Sequence, residues 1–148
     1  MGAIEEDDLD ERREGFLTAV AEIPGATGET LDDTDLETTP AYPVLRERAA
    51  AGTLPHALVC GSDQTALRVM DVLRGEGVRV PEDVLVTGFD GILAGRLSVP
   101  SLTTVRQPME LMGRIAAHLL LTDPGDASVP PRTVRLATDL RIGGSCGC

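Results

Sequence analysis

The chain has 148 residues, of which 42% are apolar, and carries 13 basic against 24 acidic side chains for a formal net charge of −11. One domain with a packed core fits those numbers, and no stretch approaches the roughly 18 uninterrupted apolar residues of a helical membrane span. With a pI near 4.5 and no Lys or Arg cluster, these residues are not expected to grip a DNA backbone by themselves.

The charge is concentrated. Residues 1–40 hold 13 acidic and 2 basic side chains, and residues 41–148 balance at 11 of each. Glu5, Glu6, Asp7, Asp8, Asp10 and Glu11 stand where a secretory signal would be basic and then apolar. They read as a solvated helix face running into a loop. Only Phe16, Tyr42 and Phe89 are aromatic, so an aromatic-lined pocket built from this chain is sparse. Cys60, Cys146 and Cys148 make no disulfide framework, and a reducing cytoplasm is the expected setting.

A first helix is predicted from Asp7 to Ile23. Leu9, Phe16, Val20 and Ile23 recur there at helical intervals, and Pro24-Gly25 stops the run. Residues 25–39 are polar and read as loop. Pro40 to Ala51 forms a second helix, with Val44, Leu45 and Ala49 inward and Gly52 ending it. Residues 56–60 form a short apolar strand entering Gly61-Ser62-Asp63. Beyond it Ala66, Leu67, Met70 and Leu73 mark a helix that ends at Gly75 and Gly77.

Residues 84–88 form a second apolar strand. A helix and turns of about 20 residues between two such strands suit a right-handed crossover in a parallel sheet. Strands that are apolar throughout imply helices over both sheet faces. Leu102 to Val105 is a third strand. Pro108 opens a helix to about Leu121 with a stripe of Met112, Ile115, Ala116 and Leu119, closed by Asp123-Pro124-Gly125-Asp126. Thr133 to Ala137 and Leu140 to Ile142 are β-like. The predicted class is α/β, a three-layer fold whose mainly parallel sheet has helices on both faces.

In an open parallel sheet, ligands sit beyond the carboxyl ends of the strands, where loops converge and helix N-termini point outward. Two strand ends carry polar residues there: Ser62-Asp63 after the first and Phe89-Asp90 after the second. Asp63 reads equally as a helix cap or as a ligand contact. Asp90 reads as a ligand contact, because Gly91 interrupts and no helix is evident after it. A carboxylate at such a mouth accepts hydroxyl hydrogen bonds from a sugar or another polyol.

The blocks Gly77, Val80-Pro81-Glu82-Asp83, Gly88-Phe89-Asp90 and Pro100-Ser101-Leu102-Thr103-Thr104-Val105, in this order and spacing, resemble the effector-binding domain of lac repressor-family transcription regulators. Glu11-Arg12-Arg13-Glu14-Gly15-Phe16 is similar to the family's Arg-x-x-Gly-Phe helix, and Ser145-Cys146-Gly147-Cys148 to a common family terminus. The resemblance covers roughly residues 10–148 and is weakest over 25–55.

What the resemblance implies is a two-lobed sensor resembling periplasmic sugar-binding proteins. In the family an effector between the lobes alters how a dimer's helix-turn-helix heads fit operator DNA. The effector-binding residues carried over are Arg12, Ser62, Asp63, Phe89, Asp90 and Met109, with Leu67, Met70 and Leu97 at a homodimer interface. Ser62 stands where Asn is usual, Gly91 replaces a second Asp, and Gly143 replaces an Arg. The chain is expected to be a partial effector domain over residues 1–148, mostly the C-terminal lobe, without its helix-turn-helix head. Residues 109–132 belong, on this reading, to the other lobe, so their apolar stripe lacks a partner.

Other signals lead elsewhere. Zinc needs four ligands, and Cys146 and Cys148 have only Cys60, His56 and His118 as scattered companions, so no metal or cofactor is expected. Gly61-Ser62-Asp63 is not a Gly-x-Ser-x-Gly nucleophile elbow, and no catalytic set is assembled. Gly75-Glu76-Gly77 follows a helix and precedes a strand, the reverse of a dinucleotide turn. The expected partners are a small sugar-like effector, a second copy, and operator DNA through a separate head, with no membrane. The competing reading is a fragment of a periplasmic or secreted sugar-binding protein of the same fold.

Overall fold

In the computed structural model, residues 6–31, 41–122 and 133–148 are described. Three parallel strands, β1 (Ala57–Val59), β2 (Leu85–Asp90) and β3 (Thr103–Arg106), are followed at the β3 edge by antiparallel β4 (Asp139–Arg141). The register sets Leu58 beside Val86, Gly88 beside Thr104 and Arg106 beside Asp139.

From β1 to β3 the sheet order follows chain order because each strand returns parallel through a crossover. The first crossover is α3 (Asp63–Gly75), which follows α1 (Glu6–Glu22), α2 (Ala41–Ala51) and β1 in the chain. The second contains α4 (Leu93–Leu97), a short helix the sequence reading missed, since Gly91 hid its start. After β3 the chain enters α5 (Met109–Thr122). The Asp123–Asp126 stop signal lies outside the described residues. Thr133 to Ala137 forms no strand: Arg135 interrupts the run, and among the described residues no neighbouring strand pairs with it.

The core lies where α3 packs on the sheet and α2 packs on α3. Ala66, Val69, Met70 and Leu73 of α3 are buried with Val84, Val86 and Leu102 beneath them and with Tyr42 and Leu45 of α2 above. Each large side chain so enclosed contributes about 1.5–3 kcal/mol. In α2 the predicted inward residues shift: Leu45 is buried as expected, Tyr42 joins it, and Val44 and Ala49 are half-buried. In α1 the pattern is weaker. Phe16 and Val20 are half-buried around Gly28, whereas Ile23 is exposed at the helix end.

Burial alternates along β2. Val86 and Gly88 are enclosed on the α3 side, and Leu85, Thr87 and Phe89 on the other face are half-buried. That second face meets the C-terminal turn Gly144–Cys146. Ser145, fully buried, donates its hydroxyl to the Val86 carbonyl at 2.6 Å and accepts from the Thr103 amide at 2.9 Å, which ties β2 to β3. Cys146 and Cys148 are joined as a disulfide, a single local link, and Cys60 is half-buried at the core margin.

Candidate functional site

The carboxyl ends of β1, β2 and β3 open on the same edge of the sheet, and the residues beyond them meet. Gly61 and Ser62 follow β1, Asp90 ends β2, and Gln107 follows β3. Ser62 has extended backbone and its Oγ accepts the Thr65 amide at 3.1 Å, so Ser62 is the N-cap of α3. This corrects the capping assignment of Asp63, which is the first helical residue. Asp63 is fully buried and both its oxygens are engaged: Oδ1 accepts from the Thr104 hydroxyl at 2.5 Å, and Oδ2 from the Ile92 amide at 2.8 Å. It braces α3 against β3 and the turn after β2.

Arg12 reaches the same edge from α1. One guanidinium nitrogen donates to the Gly61 carbonyl at 2.7 Å, and the group lies over the Phe89 ring, 4.0 Å from its centre. A cation held on an aromatic face keeps a fixed direction, worth about 0.5–1 kcal/mol at a partly exposed position. The half-buried Phe89 therefore serves as a platform for Arg12.

Asp90 sits beside that cation. Its backbone φ is +117°, a conformation side chains with a Cβ rarely adopt. Its Oδ1 accepts from the Gln107 side-chain amide at 2.9 Å, and its carbonyl accepts from the Gln107 backbone amide at 3.1 Å. Burial pushes its pKa up, and the Asp63 carboxylate adds to that. The Arg12 charge and hydrogen bonds from Gln107 and the Asp63 amide pull it back without cancelling the rise. A cation, a half-buried carboxylate and the N-terminus of α3 thus share one rim, a set of donors and acceptors suited to a molecule with several hydroxyls.

Next in chain, Gly91 takes φ +78°, and a Cβ there would overlap Arg106, so the Asp expected at this position in the family pattern has no room. Met109 begins α5 and is exposed. Arg12, Phe89, Asp90 and the Ser62–Asp63 turn are brought together at the edge. Two contributors escaped the sequence reading. Thr104 is a polar residue on the buried half of β3, which demands a partner. Gln107 stands directly beyond the carboxyl end of β3, as Asp90 stands at that of β2.

Residues 2–146 match the periplasmic binding protein-like domain. The chain belongs to that family. Among curated relatives, the transcriptional regulator reg1 of Streptomyces lividans is 35% identical over 136 residues, covering 89% of this chain and 39% of reg1. A solved complex of the transcriptional regulator CelR with cellobiose aligns with a TM-score of 0.75 at 31% identity, over 92% of this chain and 42% of CelR. The lac repressor dimer bound to operator aligns with a TM-score of 0.61 at 26% identity, over 71% of this chain and 36% of the repressor. These relatives are transcription regulators of the lac repressor family, not enzymes, and the chain is an effector domain of that family. It spans less than half the length of each of these relatives.

Two other surfaces of this family domain are open. A groove of about 560 Å³ runs between the outer side of α3, from Leu67 to Arg74, and Ser98-Val99. Of the residues assigned to an interface, Leu67 is half-buried beside it and Leu97 is 73% exposed, while Met70 is a core residue at 3%. Along α5 no side chain is buried: Met109, Leu111, Met112, Leu120 and Leu121 are exposed, and Ile115 and Leu119 are half-buried. His56 and His118 are both at the surface. Among the described residues, no helix is long and apolar enough to cross a membrane.

Proposed function

We propose that this domain senses a small, sugar-like effector for a DNA-binding regulator, with Arg12 and Asp90 as the principal polar contacts. The observation that carries the reading is the pairing at one sheet edge of an Arg12 guanidinium stacked on Phe89 with a half-buried Asp90 carboxylate. Arg12 donates and Asp90 accepts, so vicinal hydroxyls of a sugar ring satisfy both at once. Ser62 and Met109 flank these groups, Ser62 with a single hydroxyl and Met109 with an apolar wall. Asp63 acts through the Ile92 turn that carries Asp90 rather than by direct contact.

The remaining parts of the reading follow from the open surfaces. The apolar side of α5 packs on the second lobe of a two-lobed sensor, closing the effector between them. Leu67, Leu97 and the groove beside α3 form a homodimer face. Operator DNA is bound through a helix-turn-helix head, since this acidic sequence carries no Lys or Arg cluster, and effector binding changes how two heads fit their half-sites. The compartment is the cytoplasm. A cellobiose complex in CelR and an operator-bound dimer in the lac repressor lend this support by similarity.

Ligand-observed NMR of the chain against glucose, sucrose, lactose, cellobiose and an uncharged non-sugar control tests the reading. Saturation transfer to at least one sugar, displaced from variants lacking Asp90, is expected. Equal transfer to the control, or none to any sugar, contradicts it.

A further inference from the structure

We propose that Gln107 is a positioning residue of this site, holding the Asp90 carboxylate toward the effector from the end of β3. The inference rests on the reading of Asp90 as an effector contact.

Three features of the geometry support it. Gln107 binds Asp90 twice, through its backbone amide to the Asp90 carbonyl and through its side-chain amide to Oδ1. Asp90 has φ +117°, so its conformation must be imposed by neighbours, and Gln107 grips it on both main chain and side chain. The Gln107 carbonyl in turn accepts from the Met109 amide, which places this residue at the junction where β3 turns into α5.

The chemistry of the donor matters as much as its position. Besides Gln107, the groups facing Asp90 are the Arg12 cation from α1 and, from α3, the carboxylate and the backbone amide of Asp63. Arg106 stands beside it in the β2–β3 register. A neutral amide orients the carboxylate without neutralising it, so its negative charge stays available to effector hydroxyls. A lysine at the same point would compete with the ligand.

The test is a carbon-13 NMR titration of the Asp90 carboxyl in the 148-residue chain, combined with calorimetry on whichever panel sugar binds. The variants are Gln107→Met, which keeps the volume and removes the donor, Gln107→Glu, and Asp90→Asn alone and with Gln107→Met. Loss of the donor is expected to move the Asp90 midpoint to higher pH and to weaken the sugar about ten-fold, the scale of one hydrogen bond to a charged group. Adding Gln107→Met to Asp90→Asn is expected to cost much less. In Gln107→Glu the two carboxyls share one proton, so affinity recovers as the pH is lowered. An Asp90 midpoint unmoved in a folded Gln107→Met, or an equal loss of affinity on the Asp90→Asn background, overturns the role of Gln107. If Asp90→Asn binds the sugar as tightly as the parent, the effector reading fails instead, and the Asp90 midpoint still decides what Gln107 does.

Discussion

The Thr104 hydroxyl, in the middle of β3, donates to Oδ1 of Asp63 at the start of α3 across 2.5 Å, with both residues fully buried. A buried carboxylate is tolerated only when its oxygens are occupied, and the Ile92 amide occupies the other. Gly88 lies so close beneath that a Cβ there would overlap Asp63 Oδ1.

Breaking this brace is therefore expected to be costly. Asp63→Ala strands the Thr104 hydroxyl and the Ile92 amide, at about 1–3 kcal/mol for each buried group left unpaired. Thr104→Val is expected to cost a similar amount, and the double variant less than the sum, because both remove one shared bond. Denaturant unfolding of the four species measures this. Additive losses would show that the two residues act separately.

Asp90 has the opposite effect on stability. Its folded pKa is raised, so the native state holds the proton more tightly than the unfolded chain, and stability falls as the pH rises through the folded midpoint. Asp90→Asn, which is always neutral, is expected to melt at a higher temperature than the parent at pH 7. The gap should close near the ordinary carboxylate value of 3.8. Melting curves at several pH values check this; an Asn variant less stable at pH 7 contradicts it. A binding group held at a cost to the fold is a common trade between stability and function.

For Asp83 the sign reverses. Hydrogen bonds from Arg79 lower its pKa to about 2, so its contribution is present above 3.8 and is lost as the pH falls toward 2. Asp83→Asn is expected to destabilise slightly at neutral pH and to converge with the parent in acid. The pair is exposed, so the effect is small, and melting scans at pH 7 and pH 2 measure it.

Much of this architecture is legible in the sequence because the driving terms are local. Helical spacing of Ala66, Met70 and Leu73 between two apolar runs fixes α3 and the parallel pairing of β1 with β2. The terminal groups of the site, Arg12, Phe89 and Asp90, stand at strand ends or on a helix with a recognisable motif. What is not legible depends on contacts between distant residues. Asp63 reads from its position as a cap or a ligand contact and is instead a brace, because its partner Thr104 lies 41 residues away. Ser145 reaches Val86 across 59 residues. Thr133 to Ala137 has strand-like composition, but among the described residues no strand pairs with it.

The Ser145 clasp gives a further expected outcome. Ser145→Ala leaves the Val86 carbonyl and the Thr103 amide without their partner and is expected to cost about 1–3 kcal/mol in denaturant unfolding. An unchanged midpoint would show that the C-terminal turn does not hold β2 and β3 together.

Exposed Leu120 and Leu121 on α5 are expected to favour association without supporting the fold of the sheet. Leu120→Glu with Leu121→Lys is expected to reduce concentration-dependent sedimentation and to leave the melting temperature nearly unchanged. A large loss of stability would mean that this part of α5 belongs to the core.

Calorimetric titration of the tightest-binding panel sugar into the parent chain, Arg12→Ala and Asp90→Ala tests the central claim most directly. Saturable binding by the parent that falls at least ten-fold in each variant, with circular dichroism unchanged, is the expected result. Affinity retained in both folded variants would contradict it and place the effector elsewhere on the domain.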